Sequence, residues 1–195
     1  FTIGHLRSTI IGDAVANLYQ AIGWQVKRDN HLGDWGTQFG KQIYALVHFG
    51  KGSLEANLAE LEKSEQPVKY LVQLYVEFHE QAETHPELED EARAWFKKLE
   101  DGDREARDLW QLCIDYSWRE FDQIYSKLGV TFTENDGRGY GESYFEDKMA
   151  VVSEELERAD AAGKLEYKTG ENGAKLVFFP NEELPPLMII KKDGV

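Results

Sequence analysis

Apolar residues recur at three- and four-residue steps over most of the chain, which predicts a mostly helical protein. The first such stripe runs over Ile10–Ile22 and stops at Gly23, a residue typical of helix C-termini. A second stripe follows at 38–49, and nearly all of 52–128 has helical periodicity. A last helix is expected over about 146–161.

Short apolar runs outside these helices predict strands. They lie at 24–29, 130–132, 165–167, 175–179 and 187–190. A polar, glycine-containing turn separates the third run from the fourth and indicates a hairpin, and Asp193-Gly194 indicates a closing turn. Because strands alternate with helices in the first part of the chain, we expect an α/β fold.

The first polar junction between a strand and a helix is expected at Thr2-Ile3-Gly4-His5. A strand that stops at Gly4 and opens a helix would present free backbone N–H groups and a positive dipole end to a phosphate. His5 would add an imidazole donor. From spacing alone, a tight turn with a capping histidine is the simpler interpretation.

A second junction, at 30–40, interleaves three glycines with His31, Asp34, Trp35 and Gln38. These side chains are poor core formers but good contacts for a polar ligand. Two such turns would meet at the carboxyl edge of a parallel sheet, where open α/β folds bind their ligands.

The runs GHLRSTIIGD and NHLGDWGTQFG, with Gly139–Ser143 and Pro185–Val195, resemble the arginyl-tRNA synthetase family of class I aminoacyl-tRNA synthetases. The resemblance spans essentially the whole chain. It implies the first half of a class I catalytic domain, with a Rossmann-like parallel sheet and a mainly helical insertion. Residues 1–50 would begin the nucleotide-binding domain, 51–128 would form the helical segment, and 129–195 would continue the catalytic domain with a β-hairpin.

The resemblance also implies an ATP site. Thr2, Gly4 and His5 occupy positions of the HIGH motif, so they are expected to bind ATP and act in catalysis, with His5 also near the arginine carboxyl group. Thr2 stands where the family more often has histidine. A threonine hydroxyl can donate to phosphate but cannot carry a positive charge.

The remaining implied contacts concern arginine. Glu142 matches a family position that contacts the guanidinium, which pairs best with carboxylates in fork geometry. Its alternative role is a helix N-terminal glutamate that favours the dipole. Asp34 could pair with the ammonium group, and Gln38 could line the pocket. Trp35 could line it too, or anchor its loop.

The implied substrates are L-arginine, tRNA(Arg) and ATP with Mg²⁺, and no organic cofactor or metal site is expected. Most tRNA affinity would come from domains outside this chain. A KMSK-like loop would also lie outside it, so we expect the isolated chain to be inactive. No membrane segment or signal peptide is visible, and a cytoplasmic monomer is expected.

Charge and cysteine content constrain this interpretation. The net charge is −14, with +1 in residues 1–50, −9 in 51–115 and −6 in 116–195. No basic stripe marks a nucleic-acid surface, so charge alone argues against one. The single cysteine, Cys113, excludes an internal disulfide and lies on an apolar helical face, which indicates packing.

Two alternatives stay open from the sequence. One is another class I synthetase, such as a cysteinyl or glutamyl enzyme, although one cysteine cannot supply the zinc-binding set of the cysteinyl enzymes. The other is a synthetase-derived module without catalysis that acts through its acidic helical segment.

Overall fold

The computed structural model describes residues 1–170, 173–180 and 184–191. The predicted Asp193-Gly194 turn lies outside these residues. The chain divides into two compact units, Phe1–Ser143 and Tyr144–Val195. The helices are α1 (Ile3–Ala21), α2 (Thr37–His48), α3 (Leu54–Lys63), α4 (Pro67–Thr84), α5 (Leu88–Glu100), α6 (Arg104–Leu128) and α7 (Met149–Ala161). The strands are β1 (Glu166–Thr169), β2 (Lys175–Phe178) and β3 (Leu187–Ile190).

Helix α1 begins earlier than the sequence suggested. Thr2 is extended and caps the helix, so Gly4 and His5 lie in its first turn, and the strand expected to stop at Gly4 is absent from this segment. Helix α1 stops at Gly23 as predicted, and this glycine has a φ of 91°. The Trp24 N–H bonds to the Tyr19 carbonyl there and closes the last turn.

Helices α2, α4, α5 and α6 enclose the core of the first unit. Their apolar faces follow the predicted periodicity, and Gly129, with a φ of 69°, ends α6. Pro67 occupies the first position of α4, whereas Pro86 precedes α5 by two residues. The largest fully buried apolar side chains are Phe78, Phe96, Ile43, Leu46, Leu61, Leu74 and Leu99.

The close approach of α2 to α5 depends on Gly40. A Cβ added at this residue would lie 2.1 Å from the Ala92 carbonyl oxygen and 2.9 Å from the Phe96 Cβ. Any larger residue would force the two helices apart. The last glycine of the second junction therefore serves helix packing and not ligand approach.

A buried asparagine joins the ends of α2, α3 and α4. The Asn57 side chain is fully buried, and its Nδ2 donates to the carbonyls of Leu46 and Phe49, 2.8 Å from each. Its Oδ1 accepts the Lys51 N–H at 2.9 Å and the Tyr70 hydroxyl. All of its hydrogen-bonding groups are thus satisfied, which is the condition for burying an amide cheaply.

Arg28 links α1 to the segment that follows it. Its guanidinium pairs with Asp13 and donates to Asn17 and Gln20 on the same helix. Its backbone N–H donates to the Thr133 hydroxyl at 2.9 Å, and its carbonyl accepts the Thr133 N–H at 2.9 Å. The segments 24–29 and 130–132 are therefore held close together.

The expected parallel sheet is not seen among the residues that the structure describes. Segments 24–29 and 130–132 have no regular secondary structure and form no strand ladder. The strands present form one sheet in the order β1-β2-β3, with both pairs antiparallel. A parallel strand needs neighbours on its hydrogen-bonding sides, and apolar periodicity along one segment cannot supply them.

The second unit combines α7 with this sheet. The predicted hairpin is confirmed, since Glu166 pairs with Phe178 and Thr169 with Lys175. Helix α7 begins at Met149, after a 3₁₀ segment at Glu142–Lys148. No helix in the described parts of either unit is long and apolar enough to span a bilayer.

We expect Asn57→Ala to lower the free energy of unfolding of the chain by about 3 kcal/mol, because it strands buried backbone groups of α2. Urea denaturation followed by circular dichroism measures the change. Gln111→Ala removes an exposed amide that bonds to Asp115 and should cost under about 0.5 kcal/mol. Equal denaturation midpoints for the two variants would contradict the role of Asn57.

Candidate active site

Two glycine-containing loops, 29–34 and 139–143, are hydrogen-bonded to each other and are called the paired loops below. Both backbone and side-chain groups form these bonds, which connect the second sequence junction to the Gly139–Ser143 motif. The bonds run from Tyr140 N–H to Asp29 Oδ1 (2.8 Å), from His31 Nδ1 to the Tyr140 carbonyl (2.7 Å) and from Glu142 N–H to the Leu32 carbonyl (2.9 Å).

The Asp34 carboxylate forms the last link of the paired loops. It accepts the Ser143 N–H and the Ser143 hydroxyl, each at 2.8 Å. A Cβ at Gly141 would lie 2.5 Å from Asp34 Oδ2, so only glycine lets the loop approach this closely. The Asp34 carbonyl also accepts the Trp110 indole N–H at 2.9 Å, which fixes the aspartate from its backbone side.

A cavity of about 230 Å³ lies beside the paired loops. It brings His5 of the first motif together with Gly33 and Asp34 of the second. The other residues that line it are Leu32, Phe39, Ile114, Ser117, Trp118 and Phe121. A mostly apolar lining with a few polar groups suits a ligand with a charged end and an aliphatic chain.

His5 is oriented by the residue that caps its helix. The Thr2 N–H donates to His5 Nδ1 at 3.0 Å, and the Thr2 hydroxyl lies 3.1 Å from the same nitrogen. A ring nitrogen that accepts an N–H carries no proton, so the neutral ring holds its proton on Nε2. Nε2 is then a donor. Thr2 and Gly4 do not line the cavity themselves.

The Glu142 side chain lies over Gly33. A Cβ built at Gly33 would be 3.8 Å from Glu142 Oε2, and the Glu142 backbone is fixed by its bond to Leu32. No described residue forms an ion pair or hydrogen bond with the Glu142 carboxylate. An exposed carboxylate on a fixed backbone beside the cavity wall can accept a cationic ligand.

The structure separates Trp35 and Gln38 from the cavity. Trp35 is buried and packs edge-on against Trp110 and Phe96, with ring centres 5.5 and 5.7 Å apart. Gln38 donates to the Trp35 carbonyl at 2.7 Å. It lines a neighbouring cavity of about 270 Å³, which shares Phe39 and Ser117 with the first.

Helix α6 supplies four cavity residues that the sequence did not indicate as site residues. Ile114, Ser117, Trp118 and Phe121 are spaced at i, i+3, i+4 and i+7, so they share one helical face. That spacing was visible in the sequence, but it also describes any buried face. Only the position of α6 against the paired loops distinguishes a cavity wall from packing.

Cys113 lines the neighbouring cavity and is buried. Burial raises the pKa of its thiol to about 12, because the thiolate would lose its hydration. The thiol stays protonated at neutral pH and is a poor nucleophile. Across residues 1–170, 173–180 and 184–191, no cluster of three or more histidine, cysteine or carboxylate side chains could hold a metal ion.

Comparison with known proteins identifies the family. The family model described as "tRNA synthetases class I (R), catalytic domain" matches residues 1–195. The chain belongs to this family. Its first junction, the paired loops and the helical segment between them are therefore parts of a class I tRNA synthetase catalytic domain.

Individual class I relatives agree. The chain is 47% identical over 195 residues to the arginine–tRNA ligase of Exiguobacterium sp. and 46% identical over 195 residues to that of Streptococcus suis. It is 45% identical over 194 residues to that of Clostridium perfringens. Each match covers 100% of this chain and 31% of the relative, so the chain spans about a third of their length.

We expect Asp34→Ala to raise the amide hydrogen exchange of residues 140–143 by about tenfold or more, because the Ser143 N–H loses its acceptor and the loops separate locally. Mass spectrometry of peptides that cover this loop measures the rate. Asp108→Ala is the control, since Asp108 is exposed and pairs only with Arg104. Unchanged exchange in the Asp34 variant would show that the loops are held by other contacts.

Proposed function

We propose that the full-length protein containing this chain activates L-arginine with ATP and transfers it to tRNA(Arg). One observation carries the proposal: a single cavity brings His5 together with Gly33 and Asp34, and the unpaired Glu142 carboxylate lies over Gly33. The printed names of the relatives, arginine–tRNA ligases, support the same reaction.

In the proposed reaction, a carboxylate oxygen of arginine attacks the α-phosphorus of ATP. A phosphorus–oxygen bond to the leaving pyrophosphate breaks as the bond to the arginine carboxylate forms, and arginyl adenylate results. Negative charge spreads over the phosphate oxygens during this step, so preorganised donors stabilise it better than mobile water. Mg²⁺ would accompany ATP as part of the substrate.

Thr2, Gly4 and His5 would form the ATP side. The His5 Nε2 proton, fixed by the bond from Thr2 to Nδ1, is a donor for an α-phosphate oxygen. The first turn of α1 contains no acidic side chain, so nothing on that turn opposes an anion at the positive end of the helix. Gly4 keeps that turn accessible to a nucleotide.

Glu142, His5 and Asp34 would form the arginine side. Glu142 would receive the guanidinium in a bidentate pair. Asp34 is held by Ser143, yet a carboxylate has about four lone-pair positions, so it can also accept the substrate ammonium. Trp35 and Gln38 would act indirectly, since their contacts support the loop that carries Asp34.

The proposal also includes the parallel sheet of the full-length protein. The apolar face of α1 is exposed, with Ile10, Ile11, Val15 and Leu18 among its uncovered side chains. A parallel Rossmann-like sheet, completed by the rest of the full-length protein, would bury this face and pair segments 24–29 and 130–132. Residues 1–50, 51–128 and 129–195 would then be its first part, its helical insertion and its continuation.

The remaining partners would act outside this chain. The net charge of −14 gives these residues little electrostatic attraction for tRNA, so other domains would supply most of that affinity. The chain alone would be inactive, because it would contain only one side of the ATP site. We propose a cytoplasmic monomer as the working form of the full-length protein.

The test is arginine-dependent ATP–pyrophosphate exchange by the full-length protein with tRNA(Arg) present. Glu142→Gln should raise KM for arginine by about a hundredfold or more while KM for ATP changes little, because a neutral amide cannot pair with a guanidinium. His5→Ala should lower kcat by about a hundredfold, through loss of a donor to the transition state.

Glu80→Gln is the matched control for Glu142→Gln, since Glu80 is an exposed glutamate on α4. It should leave both Michaelis constants unchanged. An equal rise of KM for arginine and ATP in Glu142→Gln would contradict the guanidinium role. Exchange that does not depend on arginine would contradict the proposed reaction itself.

A further inference from the structure

A cation–π contact joins α6 to the loop that precedes Glu142. The Arg138 guanidinium lies 4.6 Å from the centre of the Trp118 ring. Trp118 is 7% exposed and lines the cavity beside the paired loops. Arg138 is exposed, and its side chain forms no ion pair or hydrogen bond with any residue that the structure describes. The Trp118 ring, and not a carboxylate, therefore holds this guanidinium in place.

The backbone around Arg138 forms a compact turn that leads directly into the paired loops. Asn135 and Asp136 both adopt left-handed conformations, with φ of 48° and 53°. The Asn135 side chain donates to the Gly139 carbonyl at 2.8 Å, and the Arg138 N–H donates to the Asn135 carbonyl at 2.9 Å. A turn this tight transmits the position of Arg138 to Gly139, where the loop that carries Glu142 begins.

We propose that Arg138 and Trp118 are positioning residues that hold the Glu142 loop in place for arginine recognition. The inference rests on the proposed role of Glu142. Because Trp118 belongs to α6, the contact makes the helical segment part of amino-acid selection. A guanidinium suits this role because its plane stacks on an indole face, whereas a lysine ammonium offers only a point charge.

The experiment measures pyrophosphate exchange by the full-length protein with tRNA(Arg), in the variants Arg138→Ala, Trp118→Leu, their double variant and Arg138→Lys. Each single variant should raise KM for arginine about fivefold, with KM for ATP unchanged. The double variant should raise it no further, because both changes remove the same contact. Arg138→Lys should give an intermediate value.

Another cation–π pair of the helical segment provides matched controls. The Lys98 ammonium lies 4.1 Å from the Trp95 ring centre, and Trp95 is 9% exposed but does not line the cavity. Trp95→Leu should lower the melting temperature and Lys98→Ala should not, and both should leave KM for arginine unchanged.

Three results would overturn the inference: an unchanged KM for arginine in Arg138→Ala, a parallel rise of KM for ATP, or additive effects in the double variant. Arg138 is exposed, so its variant keeps the test valid even if Trp118→Leu fails to fold. Failure of the proposed function is seen separately, since wild-type protein would then show no arginine-dependent exchange and Glu142→Gln would have no selective effect.

Discussion

The two hydrogen bonds from Ser143 to the Asp34 carboxylate are the constraint on which the site depends. They join residues 109 positions apart in sequence, and the helices from α2 to α6 lie between them. The charged acceptor makes these bonds stronger than neutral ones. They close the paired loops at the end where Asp34 lines the cavity and Glu142 lies over Gly33.

The helical segment supports this closed arrangement of the paired loops. Trp110 of α6 donates to the Asp34 carbonyl, and Trp118 of the same helix lines the cavity. The core beneath them requires Gly40 at the crossing of α2 and α5 and Asn57 at the junction of three helices. Packing energy in the helices thus fixes the geometry of loops that would otherwise be mobile.

The sequence predicted the features that depend on local physics. Helical periodicity, the glycine stop at Gly23 and the β1–β2 hairpin need only neighbouring residues, and the structure confirms them. The family resemblance was also correct, because motifs such as NHLGDWGTQFG are long enough to be specific.

Features that depend on distant partners were missed. The role of Gly40 requires α5, the partner of Asp34 is Ser143, and the cavity face of α6 has the same spacing as a core face. The parallel sheet stays a prediction, because sheet pairing depends on neighbouring strands and the described strands pair antiparallel. The site residues themselves stay predictions from the family resemblance.

A crystal structure of the full-length protein with a non-hydrolysable arginyl-adenylate analogue would show which residues bind arginine. We expect the guanidinium of the analogue to lie within hydrogen-bond distance of the Glu142 carboxylate, and a phosphate-equivalent oxygen to accept from His5 Nε2. A guanidinium bound elsewhere, with the paired loops unchanged and Glu142 without a cationic partner, would contradict this expectation.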